Sequence, residues 1–220
     1  MSIVHAQHSK ASASLGHFLR RDARFWAGCV AVGLVVLLAA LGPLLAPQDP
    51  DAFVGRLYLR PRPGLWLGTD VLGRDVLSRL LVGGRLFLLQ GLAAATIGVL
   101  AGVLLGILLG VARGWAAGLL LFCSDSVMVI PQILLVLLIL AAFGSAPLTL
   151  TIAVALAQIA YTARVVFAAT GRVVTQDYYR AARSVGMGTG ALVVREVLPN
   201  VAPAVLVEYG VRLSVSFVAL

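Results

Sequence analysis

The side chains able to do chemistry in this chain fall in a few places. Asp125 lies between Ser124 and Ser126, six residues before Pro131, inside an apolar run. Glu208 and Arg212 stand four apart in another, so on a helix they share a face and can pair. A polar island at residues 177–200, DYYRAARSVGMGTGALVVREVLPN, carries Asp177, Arg180, Arg183, Arg195 and Glu196. A further polar stretch holds Asp70, Gly73, Arg74 and Asp75. None of these sets has the make-up of a bond-making centre. His5, His8 and His17 all sit in the N-terminal tail, and Cys29 and Cys123 stand alone in apolar runs, where they read as inert packing residues. With no CxxC, HExxH or histidine cluster, a metal site or disulfide framework has no support. The chain has no G-x4-GK[ST] and its single lysine is Lys10, so it does not cradle ATP phosphates in the usual way. Gly186–Ala191 fits a degenerate G-x-G-x-x-A fingerprint, but no βαβ pattern surrounds it and the match is rejected. No cofactor is expected. The chemistry left is the handling of charge in an apolar medium, where an acid is a functional candidate by default.

The elements that must position these residues are membrane helices. Of 220 residues, 60% are hydrophobic and 12% charged, more apolar surface than a soluble domain of this size hides. The net charge of +8 comes from arginines at the ends of apolar runs, the placement expected against anionic lipid rather than nucleic acid. Residues 1–25 form a polar tail. The run at 26–46 is too long for a signal-peptide core and long enough to cross hydrocarbon. Further spans are expected at about 86–112, 117–143, 148–169 and 201–220, the last still apolar where the sequence stops. Residues 47–85 make a polar loop, whose end at 74–85 has an amphipathic stripe of Val76, Leu77, Leu80 and Leu81 suited to the membrane interface. Residues 170–200 make a second polar loop. The fold class is therefore all-α, a polytopic transmembrane bundle of five spans with the fifth incomplete.

With the N-terminus inside, Lys10, Arg20, Arg21, Arg24, Arg113, Arg172, Arg180, Arg183 and Arg195 face the cytoplasm, against Arg56, Arg60, Arg62, Arg74, Arg79 and Arg85 outside. Nine basic residues against six favour a cytoplasmic N-terminus. Gly98, Gly102, Gly106, Gly110 and Gly114 recur every fourth residue, a row that lets helices approach closely. Because each step drifts about 40°, an inclined groove serving more than one neighbour is expected. Pro131 lacks an N–H and frees the Val127 carbonyl, so a kink with local polar repair is expected, with Asp125 as structural glue or as part of a hinge.

The 177–200 island resembles the cytoplasmic coupling loop of ABC importer permeases, EAA-x3-G-x11-LP. It reads Arg180-Ala181-Ala182, then Gly186, then Leu198-Pro199. A second segment, LGTDVLGRDVLSRL from Leu67 to Leu80, resembles the signature of the dipeptide, oligopeptide and nickel permeases, second permease type. The resemblance covers about residues 18–220 and implies a type I importer fold. It also implies a homologous permease partner, two cytoplasmic ATPases that carry the ATP, and an extracytoplasmic substrate-binding protein. The chain itself would be a transport subunit of the bacterial inner membrane, importing di- or oligopeptides by alternating access.

On that reading Tyr178, Tyr179, Ala181, Ala182 and Val185 give a short helix an apolar face for a groove on the ATPase. Arg180 stands where the family has Glu, and Gly186 permits the turn before Arg195 and Pro199. Asp70, Arg74 and Asp75 either contact the binding protein or outer mouth, or pair with each other to hold the loop. Glu208 and Arg212 stand where relatives carry uncharged residues; they either neutralise each other or meet a zwitterionic substrate. Related permeases complete the fifth span and add a sixth. The sequence is therefore expected to be truncated, or to be a structural or regulatory fragment without transport. Nickel or another small solute is the alternative cargo.

Overall fold

A computed structural model describes residues 23–112 and 115–220; the tail arginines Arg20 and Arg21, Lys10, Arg113 and Gly114 lie outside the described residues. The chain divides into two compact units, the first ending at Leu86 and the second beginning at Phe87. Helices run in the order α1 (Ala23–Leu45), α2 (Val76–Val111), α3 (Trp115–Val129), α4 (Gln132–Phe143), α5 (Pro147–Val174), α6 (Asp177–Ser184) and α7 (Thr189–Leu192). A widened π-turn (Val193–Val197) then leads into α8 (Leu198–Ala219). Among the described residues, four segments are long and apolar enough to cross a membrane, and five if the bent pair of α3 and α4 counts as one.

In the first unit, α2 begins at Val76 rather than near Leu86. Asp75 supplies the reason. Its carboxylate Oδ2 accepts the Ser78 N–H at 3.0 Å and the Ser78 hydroxyl at 2.6 Å, an N-cap that starts the helix inside the amphipathic stripe. The Ser78 hydroxyl oxygen in turn accepts the Gln48 N–H at 3.0 Å.

In the second unit, α5 is the central helix. Its buried face runs from Thr151 to Val173 through Ala153, Val154, Ala157, Gln158, Thr162, Val166 and Ala169. Small residues dominate because α2 lies against it at backbone distance. An added Cβ would lie 2.9 Å from the Ala155 carbonyl at Gly98, 2.6 Å from Thr162 at Gly102, 2.6 Å from the Ala163 carbonyl at Gly106 and 2.5 Å from Thr170 at Gly110. Among the described residues, the atoms nearest to all four glycines belong to α5.

The 117–143 span is not one helix. It breaks at Ile130–Pro131 and the two halves bend by 91°. The Ile130 N–H reaches back to the Val127 carbonyl at 3.2 Å, so the carbonyl expected to be freed by Pro131 is occupied.

Candidate functional site

The coupling segment is built from its two ends. Helix α6 carries Asp177 in its first turn and Arg183 in its last, each favourable to the helix dipole. Gly186 closes it at φ +87°, with nothing within reach of an added Cβ, so its requirement for glycine is purely one of backbone conformation. Tyr179 is buried at 3% exposure and joins Val166, Ala169 and Val173 of α5, Ile107 of α2, and Leu192, Val197 and Val201. Ala182 packs beside that core. Tyr179 and Ala182 therefore anchor the helix and do not belong to its outward face. That face is Tyr178, Ala181 and Val185 at i, i+3, i+7, with Arg180 and Arg183 exposed beside them.

Pro199 sits next to the π-turn. It has no N–H for the Arg195 carbonyl four residues earlier, and its ring would crowd that carbonyl in an unbroken α-helix. The backbone widens instead, and the Leu198 N–H reaches the Val193 carbonyl. The Asn200 side-chain amide donates to the Glu196 carbonyl at 2.6 Å. Arg195 is exposed on this turn.

Inside the bundle, Glu208 Oε1 accepts from Arg212 Nε at 2.6 Å, and both side chains are largely buried. The Arg212 guanidinium lies over the Tyr161 ring, 5.3 Å from its centre. Asp125 accepts from Arg164 at 3.1 Å, with both side chains about half exposed. Gln158 donates to the Ser216 hydroxyl at 2.8 Å. Asp125, Glu208 and Arg212 are thus brought to one helix, α5, through Tyr161 and Arg164, which the sequence reading did not single out. A signal existed: an arginine in an apolar run must find a partner.

In the 47–85 loop, Asp70, Arg74 and Asp75 do not form ion pairs with each other. Arg74 pairs with Asp51 at 2.9 Å, Arg79 pairs with Asp70, and Asp75 is buried as the α2 cap. Asp70 accepts the backbone N–H of Arg74 at 2.9 Å and of Leu72 at 2.7 Å. The Arg74 N–H does most to hold its carboxyl below the usual carboxylate range. Desolvation opposes it, and the Leu72 N–H and Arg79 guanidinium add to the lowering. Gly73, at φ +72°, passes close to the Gly55 carbonyl and the Phe53 ring, so a side chain there would break the loop.

Comparison with known proteins places this architecture. Residues 102–220 match the family described as binding-protein-dependent transport system inner membrane component. The glutathione transport system permease protein GsiD of Pectobacterium atrosepticum is 32% identical over 203 residues, covering 91% of this chain and 67% of that protein. The protein of the same name from Shigella flexneri serotype 5b is 35% identical over 202 residues, with 91% and 67% covered. The chain therefore belongs to the binding-protein-dependent inner membrane component family, and is a multi-pass permease subunit of an ABC importer rather than an enzyme.

Proposed function

We propose that this permease imports di- or oligopeptides and takes its driving motion through residues 177–200. One observation carries the reading: Tyr179 is buried in a single core with α5 and α8, the two helices that hold the charged side chains. A push on α6 is then delivered directly to the helices bearing Arg164, Glu208 and Arg212. Tyr178, Ala181 and Val185 offer a small apolar face to a groove on a cytoplasmic ATPase, with Arg180 and Arg183 at its rim. Two such ATPases bind the ATP, a homologous permease completes the pathway, and an extracytoplasmic binding protein delivers the cargo. Peptides fit the mixed charges of Asp125, Arg164, Glu208 and Arg212, since they present an ammonium and a carboxylate together. The relatives named for glutathione transport support this class, because glutathione is itself a peptide.

Gly186→Val tests the coupling role. Valine at φ > 0 strains the backbone by about 1–2 kcal/mol, which tilts or frays α6 without touching the bundle. The reconstituted mutant complex is expected to insert normally and to lose substrate-stimulated ATP hydrolysis; unchanged stimulation rejects the role. The orientation proposed with it has a cytoplasmic N-terminus, with positions 55 and 145 outside and 184 inside. Single cysteines at those positions, in a background lacking Cys29 and Cys123, are to be treated with a membrane-impermeant reagent. Labelling at 55 and 145 alone is expected in intact cells, and labelling at 184 reverses the topology.

A further inference from the structure

The break at Ile130–Pro131 is stitched to α5 by two rungs. Asp125 and Met128 are three apart on α3, and Arg164 and Tyr161 are three apart on α5, so each pair shares a helix face. Asp125 meets Arg164 at 3.1 Å, and the Tyr161 hydroxyl donates to the Met128 carbonyl at 3.4 Å. In an unbroken helix the Met128 carbonyl would take the N–H of residue 132; the bend removes that donor, and Tyr161 stands in for it. The replacement bond is long and the ion pair is half exposed, so both rungs are weak. On the far side of the break, the side-chain amide nitrogen of Gln132 is buried with no partner. A buried donor without a bond calls for an explanation, and this one lies beside the break. Arg212 rests on the Tyr161 ring, so the Glu208–Arg212 pair on α8 bears on the same rung.

We propose that Ile130–Pro131 is a moving joint of the transport cycle, and that Tyr161 and Arg164 are positioning residues that hold its bent state. The rungs release together when α5 shifts, α4 swings relative to α3, and Gln132 gains the partner it lacks here. The proposal rests on the ATPase coupling proposed above and not on which solute is carried.

The test uses the whole reconstituted importer with spin labels replacing Leu119 on α3 and Leu138 on α4, both exposed. In the parent, the distance distribution is expected to differ between the nucleotide-free and vanadate-trapped complexes. An identical distribution in both overturns the joint. Tyr161→Phe keeps the ring under Arg212 and removes only the hydroxyl. It and Arg164→Gln are expected to raise the trapped-like fraction of the resting complex about fivefold, the effect of losing one weak polar contact. The exchange Asp125→Arg with Arg164→Asp is expected to return the parent distribution. If the single variants match the parent, or the exchange is no better than Arg164→Gln, the rungs do not hold the joint. A failure of peptide transport with a nucleotide-dependent distance shift rejects the proposed cargo and leaves the joint standing.

Discussion

Glu208→Ala is expected to deplete the subunit from the membrane, while Glu208→Leu combined with Arg212→Met restores it. Glu208 is 7% exposed and is Arg212's only ion-pair partner among the described residues. Removing one member of a buried pair leaves an uncompensated charge, which costs about 3–5 kcal/mol. That is a large share of the roughly 5–15 kcal/mol that holds a domain folded. Replacing both members by apolar side chains of similar volume removes both desolvation costs and is often neutral. Immunoblots of washed membranes read abundance, and uptake in the same cells reads function. A double variant that accumulates and transports fully makes the pair structural. One that accumulates without transport places the charges in the solute pathway. If Glu208→Ala accumulates like the parent, the pair lies in water and neutralisation is not its role.

Gly106→Val is expected to be the most damaging glycine substitution in α2. Its Cβ would lie 2.6 Å from the Ala163 carbonyl, 2.7 Å from the Val166 Cβ and 3.0 Å from the Phe167 nitrogen. Two of these neighbours are backbone, and no rotamer change moves them away. The helices must separate, and contacts along the whole row from Gly98 to Gly110 loosen together. Overpacking of this kind costs about 1–3 kcal/mol or more. Gly118→Val is the matched control, since nothing lies within 4 Å of a Cβ there. Thermal unfolding of the purified subunit in detergent is expected to fall sharply for the first and hardly change for the second. Equal midpoints would mean that α2 and α5 do not approach as closely as described.

The glycine row announced a close helix contact and Pro131 announced a kink, though not a bend of 91°, because both act through the backbone, where one residue type decides the matter. Glu208 and Arg212 were legible as a pair because helix periodicity puts positions four apart on one face. The pairing of Asp125 with Arg164 was not, since it depends on how α3 crosses α5 and no local spacing encodes that. Tyr179 was misassigned for a related reason. On a helix of two turns, Tyr178 and Tyr179 are chemically alike, and only the packing of α5 against the π-turn decides which one faces inward. Hydropathy marks where hydrocarbon is expected to begin, near Leu86, whereas the Asp75 cap marks where the helix itself begins, inside the amphipathic stripe.

The π-turn before Pro199 also sets a rotation. One residue of α-helix turns the chain by about 100°, so absorbing or releasing a single residue at Val193–Val197 would rotate all of α8 about its axis. Glu208, Arg212 and Ser216 face α5 at one angular phase only, and the same rotation would carry the Arg212 stack on Tyr161 and the Gln158 bond to Ser216 out of register together. The eleven residues between Gly186 and Leu198 are in this sense a phase setting, fixing the bearing of α8 as well as its distance from the turn.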